Sequence, residues 1–210
     1  GKFLHQGQIC MAINRIIVHE SIHDKFVEAF KEKVASLQIG DPSDEKTAVG
    51  PLINKDAVER IQESLNASLE QGAEKILGGE VEGNVMHPVI LTNVTNDMPI
   101  AKDEIFGAVA PIIKFSTVDE AIEIANDSPY GLSGSVHSRD LNRGVQVAHQ
   151  IETGMVHIND QPVNDEAHMA FGGEKESGLG RFGGEWALDK FTTVKWISVQ
   201  QERRQYPFFQ

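Results

Sequence analysis

The sequence predicts an α/β fold: an open, twisted, mostly parallel sheet with helices on both faces. Three observations predict it. Stretches with strand character alternate along the chain with stretches of helical periodicity. Several of the strand stretches are continuous apolar runs rather than alternating ones, as strands covered on both faces require. The 210 residues are 40% hydrophobic and 24% charged, enough apolar material for one full core, as in a globular domain rather than a disordered chain.

The elements follow in order. Residues 15–18 (RIIV) are β-branched and read as the first strand. Ser21 with Asp24 resembles a capping box, ahead of an apolar stripe of Ile22, Phe26, Phe30, Val34 and Leu37 that stops before Gly40. A second helix is predicted over 56–71, with Val58, Ile61, Leu65 and Leu69 inward and Gly72 as its stop. Strands are predicted at 89–91 and 110–115, then a helix over 118–126 led by the solvated pair Asp119 and Glu120. A strand at 133–137, a helix over 141–151 and a strand at 155–159 complete the alternation. Residues 192–200 (TTVKWISVQ) alternate and read as a terminal edge strand, the kind of element that pairs with another chain. The chain thus divides into a main domain, 1–190, and an oligomerisation strand with its tail, 191–210.

Composition excludes several function classes. With 19 basic against 31 acidic residues the net charge is −12, which repels polyanions and argues against nucleic acid. No apolar run approaches the roughly 18–20 residues of a membrane span, and the opening GKFLHQGQIC lacks a signal-peptide layout. A single cysteine allows no internal disulfide, which suits a reducing compartment such as the cytoplasm.

Two patterns are set aside on physical grounds. Gly178, Gly180 and Gly183 fit G-x-G-x-x-G, but the lead-in GGEKES is polar and no βαβ unit follows to hold a pyrophosphate. A glycine-rich structural turn is the better reading. His5, His157 and His168 have no spacing that makes any of them a base for the cysteine, and no cluster has the spacing of a metal site. Cys10 stays open at this level, since a lone cysteine is most often a buried hydrophobe.

Five ordered segments change that. GQIC, IGDPSDEKTAVGPLI, DMPIAKDEIFGAVAPI, AIEIANDSPYGLSGSV and FGGEKESGLGRFGG resemble the catalytic domain of the NAD(P)-dependent aldehyde dehydrogenase superfamily. VNDEAHMAFGG and KWISVQ look most like its vanillin and benzaldehyde dehydrogenase branch. The resemblance runs from Gly1 to about Gln201, with Ala108 where the family usually has proline.

The resemblance implies an oxidation of a small-molecule aldehyde to a carboxylic acid with NAD or NADP. Cys10 would be the nucleophile, its backbone N–H an oxyanion donor, and Gln8 and Gly7 part of the turn that presents it. Glu104 would bond the nicotinamide ribose hydroxyls and Phe106 would pack on the ring. Val163 and Phe171 would face the substrate. The family's dinucleotide-binding domain, glutamate base and oxyanion asparagine would all precede Gly1, so the chain is expected to be a thiol-bearing fragment, inactive alone. A homo-oligomer, dimer or tetramer, is expected of the intact enzyme. Thr193 stands where many relatives carry a glutamate implicated in proton relay. Two further readings remain: a cofactor-independent thiol esterase acting through Cys10, and a non-catalytic assembly module built on the terminal strand.

Overall fold

The computed structural model describes residues 1–208. A central sheet is built from β1 (Ile16–His19), β2 (Glu74–Leu77), β5 (Val89–Thr92) and β6 (Val109–Phe115), after the small hairpin β3 (Val81–Glu82) and β4 (Val85–Met86). Its strand order is β1-β6-β5-β2. Both β1 and β5 run parallel to β6, whereas β2 is antiparallel to β5. The helices are α1 (Glu20–Ala35), α2 (Lys55–Glu70), the single turn α3 (Pro99–Lys102), α4 (Val118–Asn126), α5 (Leu141–Ala148) and α6 (Gly184–Phe191). A second parallel pair, β8 (Ser133–Val136) with β9 (Met155–Ile158), lies beyond α4. The short strands β7 (Tyr130–Gly131) and β10 (Glu174–Lys175) pair antiparallel.

Alternation along the buried strands explains the layers. In β5, Val89 and Leu91 join one apolar cluster and Ile90 the other; in β6, Val109 and Ile113 divide from Ile112 in the same way. Successive side chains point to opposite faces of a sheet, so continuous apolar runs feed two cores at once. Helix α2 covers the first with Val58, Ile61 and Leu65. Helix α1 covers the second with Val34, Phe26 and Phe30. Burial of each such side chain contributes roughly 1.5–3 kcal/mol, which fixes both helices against the sheet.

Helix starts follow local chemistry. Asn54 accepts from the Ala57 N–H at 2.9 Å and begins α2. Thr117 accepts from the Glu120 N–H at 3.2 Å, and the Glu120 carboxylate accepts from Ser116 N–H at 2.8 Å and its hydroxyl at 2.7 Å. Glu120 is therefore a capping residue, and those hydrogen bonds hold its carboxyl below the ordinary range.

The structure corrects the sequence reading in three places. Helix α1 is capped by His19, whose Nδ1 accepts from the Ser21 N–H at 3.1 Å, so Ser21 lies inside the first turn. The antiparallel edge strand β2 was not anticipated, because EKIL is too short and half-exposed to show a period. Residues 192–200 form no strand in the single chain and are exposed throughout; an edge strand needs a second ladder to pair with, and none is present. The last two residues of the predicted tail lie outside the described residues.

Candidate active site

Cys10 follows a 3₁₀ turn, Leu4–Gly7, in which three successive residues are left-handed: His5 (φ 50°), Gln6 (φ 59°) and Gly7 (φ 78°). Two non-glycine residues there cost of order 1–2 kcal/mol each, so the surroundings must hold the turn. Gln6 donates its amide to the Pro51 carbonyl at 3.1 Å, and the Gln8 side-chain oxygen accepts from the Ile53 N–H at 2.9 Å. Gly7 lies so close to Gly107 that an added Cβ would stand 2.4 Å from its carbonyl oxygen. Gln8 and Gly7 shape the turn, as expected, and Gly107 is the surface against which it is pressed.

The outcome is an exposed thiol. Among the described residues the Cys10 N–H has no acceptor, which leaves it free to donate to a developing oxyanion. Cys10 opens onto a groove of about 1470 Å³ that Glu104, His5, Gln161 and Pro162 also line.

The loop carrying Glu104 is fixed from two sides. Asn14 donates to the carbonyls of Ala101 at 3.3 Å and Asp103 at 3.0 Å, and its oxygen accepts from the Ile105 N–H at 3.0 Å. Arg60 donates to the carbonyls of Glu104 at 3.2 Å and Ile105 at 2.8 Å. Partial burial raises the Glu104 carboxyl above its ordinary value, against the pull of Arg60. Asn14 thus links the cysteine segment to the glutamate loop. Asn14→Ala removes three hydrogen bonds at once, and each lost partner in a part-buried site costs about 1 kcal/mol or more; chemical denaturation should show a loss of about 2–3 kcal/mol, with Cys10 still alkylated.

The structure brings together Cys10 and Glu104 but not every expected residue. Phe106, left-handed at φ 44° and 37% exposed, precedes the Gly107 contact without lining the groove. Val163 follows the buried Pro162, whose carbonyl accepts from the Ser133 hydroxyl at 2.8 Å, and does not itself line the groove. Phe171 pairs its backbone with Phe182 at 2.8 and 2.7 Å and is not among the residues that line the groove. Thr193 is exposed on the terminal segment.

Sequence reasoning missed Arg15, whose guanidinium donates to the carbonyls of Ile124 at 2.6 Å and Ala125 at 3.0 Å at the end of α4. Unpaired helix C-terminal carbonyls favour such a cation. The signal was an arginine placed directly before an apolar strand.

The glycine-rich segment behaves as a turn. A Cβ on Gly172 would meet the Gly180 carbonyl at 2.1 Å, and Arg181 donates to the carbonyls of Gly173 at 3.0 Å and Gly180 at 3.2 Å while pairing with Glu174. Among the described residues no metal-binding cluster occurs, and no helix is long and apolar enough to cross a membrane.

The mixed α/β fold thus presents one exposed thiol and one part-buried carboxylate on the same groove. The chain belongs to the aldehyde dehydrogenase family, whose model matches residues 1–197. It is 52% identical over 207 residues to a benzaldehyde dehydrogenase of Bacillus subtilis, covering 99% of this chain and 43% of that protein. A vanillin dehydrogenase of Corynebacterium glutamicum is 49% identical over 201 residues, covering 96% and 42%. The crystal structure of a salicylaldehyde dehydrogenase from Pseudomonas putida G7, complexed with salicylaldehyde, matches with a TM-score of 0.95 at 43% identity, covering 99% of this chain and 43% of that one. A glyceraldehyde-3-phosphate dehydrogenase from Methanocaldococcus jannaschii, complexed with NADP, matches with a TM-score of 0.87 at 38% identity, covering 91% and 41%. The chain spans less than half the length of these relatives.

Proposed function

We propose that this chain is the thiol-bearing portion of an enzyme that oxidises an aromatic aldehyde to its carboxylic acid with NAD or NADP. The observation that carries the reading is the exposed Cys10 thiol, in the same groove as Glu104. Relatives named for benzaldehyde, vanillin and salicylaldehyde support an aromatic substrate.

The Cys10 thiolate attacks the carbonyl carbon, and the sulfur–carbon bond forms as the carbonyl π pair moves to oxygen. The Cys10 N–H stabilises that oxyanion in the thiohemiacetal. A nicotinamide dinucleotide, held in part by Glu104, would supply the hydride acceptor that the oxidation of this carbon needs. Cys10 then holds the acyl group as a thioester until water cleaves it, releasing acid and regenerating thiol. Glu104 suits a dinucleotide because a part-buried carboxylate in the groove that the thiol shares can accept from two ribose hydroxyls. Val163 and Phe171 are proposed to border the aldehyde once the remaining polypeptide is present. We place the enzyme in a reducing compartment such as the cytoplasm, as a homo-oligomer assembled through residues 192–200.

Replacing the carboxylate separates binding from folding. Glu104 binds its proton more tightly folded than unfolded, so its ionisation costs stability as pH rises above the ordinary carboxyl range. Glu104→Gln should therefore keep or raise the melting temperature at pH 7. In the enzyme assembled with a dinucleotide-binding portion it should raise the dinucleotide KM about tenfold, the loss of one charge-assisted hydrogen bond. An unchanged KM removes Glu104 from cofactor binding. Aldehyde-dependent NADH formation by the assembled enzyme, and none by this chain alone, tests the proposal as a whole.

A further inference from the structure

The C-terminal end of α4 is gripped by two cations from distant parts of the sequence. Arg15 donates to the carbonyls of Ile124 at 2.6 Å, Ala125 at 3.0 Å and Asp127 at 3.3 Å. Lys175 donates to the carbonyls of Asn126 at 2.6 Å and Ser128 at 3.1 Å, and pairs with Glu152 at 2.8 Å. The two side chains thus divide the carbonyls of 124–128 between them. Carbonyls at a helix end lack partners within the helix and favour positive charge, so one end can hold both. Asn126 adds to the junction, donating to the Gln150 carbonyl at 2.8 Å and accepting from the Glu152 N–H at 2.9 Å. It thereby holds the backbone of the residue that pairs with Lys175.

Each cation anchors a segment that the proposed chemistry uses. Arg15 lies five residues after Cys10. Lys175 lies at the far end of the loop between β9 and β10, which carries Val163 and Phe171. The near end of that loop is held from β8, where Ser133 donates to the Pro162 carbonyl at 2.8 Å and Ser135 donates to the Asp160 carbonyl. The loop also lies against the cysteine segment, since a Cβ on Gly1 would stand 3.2 Å from the Gln161 Cβ. The backbone of Lys175 is left-handed at φ 52°, a region that disfavours a side chain and suits glycine. Three polar contacts of one ammonium offset that strain. Arg15 and Asn96 close the end of α4 without it, both donating to the Ile124 carbonyl.

We propose that Lys175 is a positioning residue for the aldehyde. It ties the far end of the substrate loop to the same helix end that holds the cysteine segment, and so sets the loop's place relative to the thiol. The inference rests on the aldehyde oxidation proposed above and adds a residue that acts only through the loop. A misplacement of about 1 Å can cost about 10²-fold in rate, so a loop released at one end holds the aldehyde less often in a reactive pose.

The test uses Lys175→Met, which keeps an apolar stem and removes the donors, and Lys175→Arg, which restores a cation. In this chain, amide exchange over residues 163–173 is expected to quicken about tenfold or more in Lys175→Met, with β5 and β6 unchanged. Alkylation of Cys10 by iodoacetamide should keep its rate. In the enzyme assembled with a dinucleotide-binding portion, the benzaldehyde KM should rise about tenfold while the dinucleotide KM holds, and Lys175→Arg should recover part of the loss. Unchanged exchange over 163–173, or an unchanged benzaldehyde KM in an active assembled enzyme, overturns the proposal. A rise of both KM values with faster exchange in β5 and β6 is general loosening and also overturns it. If Lys175→Met does not fold, Lys175→Gly, which relieves the backbone strain, takes its place; if neither folds, Lys175 supports the whole fold and the proposal fails. If the unaltered assembled enzyme oxidises no benzaldehyde, the proposed function fails, and the exchange pattern of this chain decides whether Lys175 holds the loop.

Discussion

Cys10→Ser is expected to abolish aldehyde oxidation by the enzyme assembled with a dinucleotide-binding portion, lowering kcat by on the order of 10³-fold or more while the fold is retained. The reasoning starts from ionisation. A thiol is a few per cent thiolate at neutral pH and intrinsically strong as a nucleophile, whereas a serine hydroxyl without an adjacent base is weak. No histidine is hydrogen-bonded to Cys10 among the described residues, so nothing there would activate the serine. A loss of 10³ corresponds to about 4 kcal/mol of transition-state stabilisation, more than any single hydrogen bond in the turn supplies. Because the side chain is exposed, removing it leaves no cavity, and the melting temperature should stay within about 1–2 °C. The same substitution separates the thiol-esterase reading. Hydrolysis of p-nitrophenyl acetate that is lost with Cys10→Ser and needs no dinucleotide supports an esterase capacity of this thiol. Equal rates in both proteins remove that reading, and unchanged aldehyde oxidation removes the nucleophile assignment.

The sheet was legible because its strands announce themselves locally. Within the predicted strands, residues 16–18 and 110–113 are continuously apolar, as a doubly covered strand requires. Helix α2 was legible because Val58, Ile61 and Leu65 recur at its period, and all three are buried. Strand β2 was not, since four half-exposed residues take their conformation from β5 rather than from their own pattern. In the site, Cys10 and Glu104 were reached through motif resemblance, and the structure sets them in one groove. Asn14, Arg15 and Arg60 were not reached, because each acts on backbone carbonyls or amides from 44 to 112 residues away. Main-chain acceptors carry no sequence signature, so contacts of this kind stay invisible until the fold places them. Phe171 was likewise reached through its motif, and its backbone pairs with Phe182.

Gly7→Ala is expected to lower both stability and turnover, because the turn that presents the thiol has no room for one more carbon. Two costs act together. Gly7 has φ +78°, a region that disfavours any side chain by roughly 1–2 kcal/mol. The added Cβ would also stand 2.4 Å from the Gly107 carbonyl oxygen, which is main chain and cannot rotate away. Either the cysteine turn or the Glu104 loop must shift, and both groups of the site shift with it. A total cost of about 3 kcal/mol or more translates into a fall in melting temperature of roughly 6–12 °C at this chain length. A displacement of about 1 Å at the nucleophile should lower kcat/KM by about 10²-fold. Gly83→Ala separates the two contributions. Gly83 has φ +63° with nothing within 4 Å of the new Cβ, so it carries the backbone cost without the clash. Its melting temperature should fall by only about 2–8 °C with activity unchanged. If the two alanine variants lose equal stability, the contact between Gly7 and Gly107 does not hold the turn, and the presentation of Cys10 must rest on Gln6 and Gln8 instead.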